Sequence, residues 1–177
     1  FPVSDNWFTM WDSSNVNLPQ MFVGRIPAES DEDVFRYLDK HQKYINRRYD
    51  EFNKQFIFFS GGDPSDTLQL SQLKSANDFI KNNYVTPAPV GGNGIHFYKT
   101  VSPPTNFGPY TLDQINNVLD SSALFISYIG HSGTETWDNG IIDVTDLKNI
   151  FNDRLPLISD FGCSTGKFAE PDVDAFG

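Results

Sequence analysis

Two residues suited to nucleophilic chemistry each follow an apolar, strand-like run. Cys163 is the only cysteine of the chain and comes directly after residues 155–162, LPLISDFG. His131 comes directly after residues 123–130, ALFISYIG. An imidazole can deprotonate a neighbouring thiol, and the thiolate is the nucleophilic form of cysteine. The pair predicts a cysteine nucleophile with a histidine base. The alternative is that Cys163 is a small buried hydrophobic residue, which is the commoner role of a lone cysteine.

The spacing of the two runs predicts that they are neighbouring parallel strands. Residues 143–151 between them are typical of a helix of about two turns. A strand–helix–strand unit of roughly 30 residues favours a right-handed crossover between adjacent strands, which lie about 4.8 Å apart. Ligands of open α/β sheets bind beyond the carboxyl ends of the strands. The sequence therefore predicts His131 and Cys163 together at a ligand-binding edge.

The rest of the chain alternates between strand-like and helical patterns. Helices are predicted at residues 30–49, 65–83 and 111–120, the last beginning with the capping box TLDQ. Strands are predicted at residues 21–27, 55–60 and 95–101. Alternating strands and helices predict an α/β sandwich whose mainly parallel central sheet is covered on both faces.

Composition limits the functional classes. The 177 residues fit one ordinary domain, residues 1–177, and 38% of them are hydrophobic, as in a globular chain. A formal charge of −10 argues against a nucleic-acid partner. No apolar run approaches the roughly 20 residues of a membrane span. The first residues, FPVSDNWF, contain neither methionine nor a signal-like pattern, so we interpret the chain as a piece of a longer precursor.

Three strings of the sequence resemble the gingipain family of cysteine peptidases. They are VGRIPAES, FISYIGHSGTETW and LISDFGCSTGKFAEPDVDAFG, and the likeness extends from about residue 18 to the end. That family has a caspase-like α/β fold and includes the sortase-like peptidase of type IX secretion. The resemblance implies a caspase-like three-layer sandwich and a dyad of His131 and Cys163. It also implies protein or peptide substrates, a secreted or cell-surface location, and other domains of the same precursor as partners.

No organic cofactor is implied by the resemblance. Gingipain-like proteins hold calcium, so a structural calcium ion is compatible with the family. No spacing of acidic residues in this sequence matches a dedicated calcium site. One cysteine also excludes an internal disulfide and a cysteine-rich metal site.

The residue after the histidine departs from the family's pattern. A glycine usually stands there, and its backbone N–H helps to form the oxyanion hole, but here Ser132 precedes Gly133. The expected donors are the N–H of Cys163 and that of Ser132 or Gly133. A positive φ at Ser132 would cost on the order of 1 kcal/mol. Because only the N–H is expected to matter, we expect Ser132→Gly to leave activity unchanged or to raise it.

Acidic residues near the predicted edge are candidates for orienting the histidine or binding a basic substrate side chain. Asp63 follows the strand-like string FIFFSGG, and Glu135 lies in the loop after His131. Asp138 and Asp160 are weaker candidates, since Asp160 is expected on the opposite strand face from Cys163. For each of them the alternative is an ordinary solvated or capping acid.

Three functions are compatible with these residues. The first is a cysteine endopeptidase that forms a thioester at Cys163. The second is a catalytically silent caspase-like scaffold or binding module of a larger surface protein, which the serine at position 132 favours. The third is a sortase-like transpeptidase, which would use the same dyad.

Overall fold

A computed structural model describes residues 5–11, 18–101, 110–138, 142–147, 150, 154–169 and 171–175. The chain divides into two compact units, Phe1–His41 and Gln42–Gly177. The second unit contains the sheet and all the candidate site residues.

The first unit contains a 3-10 helix at Asp5–Thr9 and most of helix α1, Asp31–Ile45. The apolar run at residues 21–27 is not a strand, because no described strand pairs with its backbone. The predicted start of α1 is confirmed, since the Ser30 hydroxyl accepts the Asp33 N–H at 3.3 Å. The Asp33 carboxylate accepts the Ser30 N–H in return, at 3.1 Å. Helix α1 therefore begins as expected but ends about one turn early.

Four parallel strands form the central sheet of the second unit. They are β1, Gln55–Ser60, β2, Asn93–Tyr98, β3, Phe125–Ile129, and β6, Leu157–Phe161, in the spatial order β2-β1-β3-β6. Strand β3 pairs with β6 in parallel from Phe125↔Leu157 to Ile129↔Phe161. The predicted adjacency of the runs that precede His131 and Cys163 is thus confirmed.

The two faces of the sheet pack against different elements. On one face, alternate strand residues pack against helix α3, Leu112–Ser121. This core consists of Ile57, Phe59, Phe97, Ile115, Leu119, Ala123, Ile126, Tyr128, Trp137 and Ile142. On the other face, helix α2, Thr67–Ile80, places its buried Asn77 against β1, where Asn77 Nδ2 donates to the Phe59 carbonyl at 3.0 Å. The resulting helix–sheet–helix layers confirm the predicted α/β sandwich.

The helices follow their sequence signals at the amino ends better than at the carboxyl ends. The capping box of α3 is present, because Thr111 accepts the Gln114 N–H and Gln114 accepts the Thr111 N–H. Asp66 caps α2 by accepting the Gln69 N–H at 3.0 Å. Beyond its carboxyl end α2 continues as a π-helical turn, Lys81–Val85. Local hydrogen bonds thus set the helix starts, as a sequence can predict.

The connection between β3 and β6 differs from its prediction. It contains a small antiparallel pair, β4, Thr136–Trp137, and β5, Ile142–Asp143, which the sequence analysis missed. Helix α4 spans only Val144–Leu147, a single turn, and part of the predicted second turn lies outside the described residues. Two-residue strands are too short to show an alternating pattern, which is why the pair escaped detection.

Polar side chains are buried between α2 and the sheet. His96 on β2 contacts Asp78 on α2 through Nδ1 at 2.9 Å and the Ser60 hydroxyl through Nε2 at 2.9 Å. Burial by itself raises the pKa of Asp78, but hydrogen bonds from Lys74 and His96 outweigh it and hold the pKa at about 2. Burial lowers the pKa of His96, against the hydrogen bond to Asp78. His96 is therefore a structural residue, neutral near pH 7, that donates to an ionised Asp78.

This burial predicts a stability that falls in mild acid. Because the folded pKa of His96 lies below its ordinary value of 6.5, the unfolded chain binds more protons as the pH falls through that value. We expect the free energy of unfolding, measured by urea denaturation, to decrease from pH 7.5 to 5.5, and His96→Gln to reduce that decrease. His41→Gln, at an exposed position, is the control. An unchanged pH dependence in His96→Gln would contradict the assignment.

Candidate active site

His131 and Cys163 stand at equivalent positions beyond two paired strands. Each lies two residues after the last registered pair of β3 and β6, Ile129↔Phe161. Both residues are exposed, and Cys163 is a free cysteine. The alternative of a buried core cysteine is therefore wrong. Parallel pairing delivers the two residues to one edge of the sheet, as the spacing predicts.

A side-chain hydrogen bond links the two loops that follow these strands. The Ser132 hydroxyl donates to the Cys163 carbonyl at 2.5 Å. Gly162 makes this approach feasible, because a Cβ at that position would lie 2.9 Å from Ser132 Cβ. The sequence predicts a role only for the N–H of Ser132, and this hydrogen bond of its side chain has no signal in the sequence.

The backbone hydrogen bonds around Ser132 show which of two N–H groups, that of Ser132 or that of Gly133, is available as an oxyanion donor beside that of Cys163. Ser132 forms an isolated antiparallel bridge with Trp137, in which the Gly133 N–H donates to the Thr136 carbonyl at 2.9 Å. By contrast, the N–H groups of Ser132 and Cys163 donate to no described residue. Ser132 is not among the described non-glycine residues with positive φ, so it does not carry the strain that a positive φ would cause. The N–H of Gly133 is occupied, and that of Ser132 is available.

The ring of His131 has a hydrogen-bond partner that the sequence analysis did not identify. His131 Nε2 lies 3.0 Å from Gln69 Oε1, in the first turn of α2. The same oxygen accepts the Asp63 N–H at 2.7 Å. The available signal was topological, since the loop after β1 and the start of α2 reach the same sheet edge.

The two predicted acids lie near the site without bonding to the histidine. The Asp63 carboxylate accepts the N–H and the hydroxyl of Ser65, both at 2.8 Å. These hydrogen bonds lower the pKa of Asp63, with smaller contributions from the charges of His131 and Lys99. The Glu135 side chain is exposed and makes no hydrogen bond to a described residue. The charge of His131 thus acts on the Asp63 carboxylate, although no hydrogen bond joins the two side chains.

Asp138 has a structural role beneath this edge. Its carboxylate accepts the Lys99 ammonium at 2.8 Å and the Gly62 N–H at 2.6 Å, and both charged side chains are at most 3% exposed. Its own N–H donates to the His131 carbonyl at 2.9 Å. Gly62 follows β1, Lys99 follows β2 and His131 follows β3. One buried carboxylate thus joins three loops of the candidate site.

Asp160 links Trp137 to the backbone of Gly162, the residue that precedes Cys163. Asp160 accepts the Trp137 indole N–H at 2.7 Å and the Gly162 N–H at 2.6 Å. The Trp137 ring is buried and stacks on Tyr128, with centroids 4.4 Å apart and planes at 4°. The Trp137 ring therefore packs inside the domain and does not line an open cleft.

The described residues contain no group of three or more histidine, cysteine, aspartate or glutamate side chains arranged to hold a metal ion. Within the same residues, no helix has the length and apolar character needed to cross a membrane.

These features define a caspase-like α/β sandwich with a cysteine and a histidine at the ends of adjacent parallel strands. The sequence profile of peptidase family C25 matches residues 1–177. The chain therefore belongs to peptidase family C25, the gingipain family. No curated protein matches the chain.

Three solved structures are similar to the chain. The Arg-specific cysteine proteinase gingipain R (RgpB) aligns with a TM-score of 0.71 and 20% identity, over 98% of this chain and 38% of its own. A complex of Porphyromonas gingivalis RgpB pro- and mature domains aligns with a TM-score of 0.65 and 21% identity, over 89% and 36%. A structure described as a protease aligns with a TM-score of 0.77 and 19% identity, over 99% and 36%. The chain thus shares their fold and spans less than two fifths of their length.

The buried ion pair beneath the site can be tested by stability. Asp138→Asn leaves the Lys99 ammonium buried without a counter-charge, so we expect the free energy of unfolding to fall by about 3–5 kcal/mol in urea denaturation. Glu135→Gln removes an exposed acid from the same loop and is expected to change it by less than about 0.5 kcal/mol. Equal effects of the two substitutions would show that Asp138 does not join these loops.

Proposed function

We propose that the chain is the peptidase domain of a cysteine endopeptidase, with Cys163 as nucleophile and His131 as general base and acid. The observation that best supports this proposal is the placement of the only cysteine, exposed, beyond a strand paired with the one that precedes His131. Membership of peptidase family C25 supports the same activity. In this proposal residues 1–177 act as a single domain of a longer precursor.

The proposed reaction has two stages. His131 accepts the thiol proton, and the Cys163 sulfur attacks the peptide carbonyl carbon. The tetrahedral intermediate collapses as the C–N bond breaks and His131 returns the proton to the leaving amine, which leaves a thioester. Water, deprotonated by His131, then attacks the thioester carbonyl and releases the second product and the thiol.

The oxyanion of each intermediate requires hydrogen-bond donors. We assign this role to the backbone N–H groups of Cys163 and Ser132, because neither donates to a described residue. Gly133 is the weaker choice, since its N–H already donates to Thr136. Removing one such donor typically costs 10²–10³-fold in rate, on the order of 3–4 kcal/mol.

Asp63 is the acid that we propose for binding a basic substrate side chain, and Glu135 is the alternative. Asp63 is exposed, and its ionised form is favoured by the Ser65 hydrogen bonds. The Arg-specific gingipain R is a relative by fold, which is consistent with a basic substrate residue. The proposed partners are therefore a protein or peptide substrate and other domains of the same precursor, as in the complex of RgpB pro- and mature domains.

The proposed location is secreted or at the cell surface, by resemblance to the gingipain family. We propose no organic cofactor for the reaction, since thiol and imidazole suffice for acyl transfer. A structural calcium ion stays compatible with the resemblance.

The reactivity of the Cys163 thiol distinguishes the proposed peptidase from the alternative, a catalytically silent scaffold. A neighbouring imidazolium favours the thiolate, so we expect alkylation of Cys163 by iodoacetamide to stay substantial below pH 7. His131→Ala should remove this reactivity in acid, and Cys163→Ala should abolish cleavage of unfolded protein substrates. His41→Ala is the matched control.

If the alkylation rate follows an ordinary thiol, with a midpoint of about 8.5, and no cleavage is detected, the domain is a scaffold. Products that contain an added amine nucleophile in place of water would identify a transpeptidase instead.

The Ser132 hydroxyl has a separate, smaller effect in this proposal. Ser132→Ala keeps the N–H donor but removes the hydrogen bond to the Cys163 carbonyl, which is worth about 1 kcal/mol. We expect kcat for peptide cleavage to fall about fivefold with KM little changed. Thr134→Ala, in the same loop, is the control. Unchanged kcat in Ser132→Ala would support the earlier expectation that only the N–H of this residue matters.

A further inference from the structure

Gln69 is held in place from three directions. Its N–H donates to the Asp66 carboxylate at the start of α2, at 3.0 Å. Its side-chain oxygen Oε1 accepts the Asp63 N–H at 2.7 Å and lies 3.0 Å from His131 Nε2. Gly62 leaves room for this oxygen, because a Cβ there would lie 3.2 Å from it, and the φ of +127° at that position favours glycine. The side chain of Gln69 is therefore fixed by its surroundings.

The Asp63 contact determines which end of the Gln69 amide faces the histidine. A backbone N–H can only donate, so the atom that it meets must be the amide oxygen and not the NH₂ group. An amide oxygen can only accept. His131 Nε2, which contacts the same oxygen, must then be the donor, and the neutral ring must carry its proton on Nε2.

We propose that Gln69 is a positioning residue that holds His131 in the Nε2–H tautomer and leaves the lone pair of Nδ1 to accept the Cys163 proton. The acceptance of the Cys163 proton by Nδ1 rests on the proposed function, whereas the assignment of the Nε2–H tautomer does not. When the thiol proton moves to Nδ1, the resulting imidazolium keeps its Nε2–H bond to Gln69. The same side chain therefore orients the ring before and after proton transfer.

Glutamine has a different electrostatic effect here from a carboxylate. Its amide oxygen accepts the Nε2–H hydrogen bond without adding a negative charge next to the ring, so it directs the proton without strongly favouring the imidazolium. Neither predicted acid makes this hydrogen bond, since Asp63 contributes only its backbone N–H and the Glu135 side chain makes no hydrogen bond to a described residue. Gln69 thus takes the orienting role for which Asp63 and Glu135 were the candidates.

The tautomer can be measured directly by NMR of the protein with ¹⁵N-labelled histidine. At about pH 8.5, two units above the ordinary histidine pKa, long-range ¹H–¹⁵N correlations distinguish Nδ1–H from Nε2–H rings. The His131 signals are identified by their loss in His131→Ala. The measurement is made in wild type and in Cys163→Ala, where no thiolate can influence the ring.

We expect His131 to be the Nε2–H tautomer in both proteins and a mixture of tautomers in Gln69→Leu. Gln69→Glu, which keeps an acceptor oxygen, should restore the Nε2–H tautomer. Gln72→Leu, on an exposed position of the same helix, should change nothing. For peptide cleavage, Gln69→Leu should lower kcat on the order of tenfold with KM little changed, and Gln69→Glu should recover part of that loss.

A dominant Nδ1–H ring in wild type, or an unchanged tautomer in Gln69→Leu, would overturn the proposal. The tautomer is also measured in Cys163→Ala, which lacks the proposed nucleophile, so this test of Gln69 is independent of peptide cleavage. If wild type cleaves no peptide while the Gln69 variants behave as expected, the proposed function fails and the positioning role stands. If wild type cleaves peptides and Gln69→Leu keeps both tautomer and kcat, only the positioning role fails.

Discussion

The buried ion pair of Lys99 and Asp138 is the interaction on which the candidate site depends. The Asp138 carboxylate also accepts the Gly62 N–H, and its backbone N–H donates to the His131 carbonyl. Burying two charges costs several kcal/mol each in desolvation, so a pair of this kind adds little net stability. The pair instead determines how the loops after β1, β2 and β3 are arranged. The two charges can stay buried only when these loops meet in one geometry.

Close backbone approach is the second constraint at this edge. Gly61 has no room for a side chain beside Asp138, and Gly162 has none beside Ser132. These glycines allow the loop after β3 to contact its neighbours on both sides, through Asp138 towards β1 and through Ser132 towards β6. The parallel pairing of β3 with β6 brings His131 and Cys163 to one edge, and the glycines allow their loops to touch there.

Separate polar contacts hold the different parts of the candidate site around His131 and Cys163. The Tyr128 hydroxyl donates to the His131 carbonyl, and burial raises the pKa of Tyr128, so this phenol stays a neutral donor. Gln69 acts on the imidazole ring itself. Ser132 and Asp160 act on the backbone around Cys163. The backbone of the site is thus held by buried and half-buried groups, and the side chains of His131 and Cys163 stay exposed.

The sequence by itself determined the local elements and the placement of the two candidate catalytic residues, His131 and Cys163. Apolar runs identified β1, β3 and β6, capping residues identified the starts of α1 and α3, and the chain order predicted adjacent parallel strands. These inferences depend on neighbours within a few residues, or on the handedness of strand–helix–strand units. Family membership follows from the sequence as well, since its profile matches the whole chain.

Only the tertiary structure decided which side chains meet at the sheet edge. Gln69 lies 62 positions from His131, Lys99 lies 39 from Asp138, and Ser132 lies 31 from Cys163. No local pattern predicts such contacts, because each depends on the register of separate strands and on the path of the loops between them. The sequence therefore offered only candidate acids for the place beside the histidine, whereas the packing of α2 against β1 places an amide oxygen there.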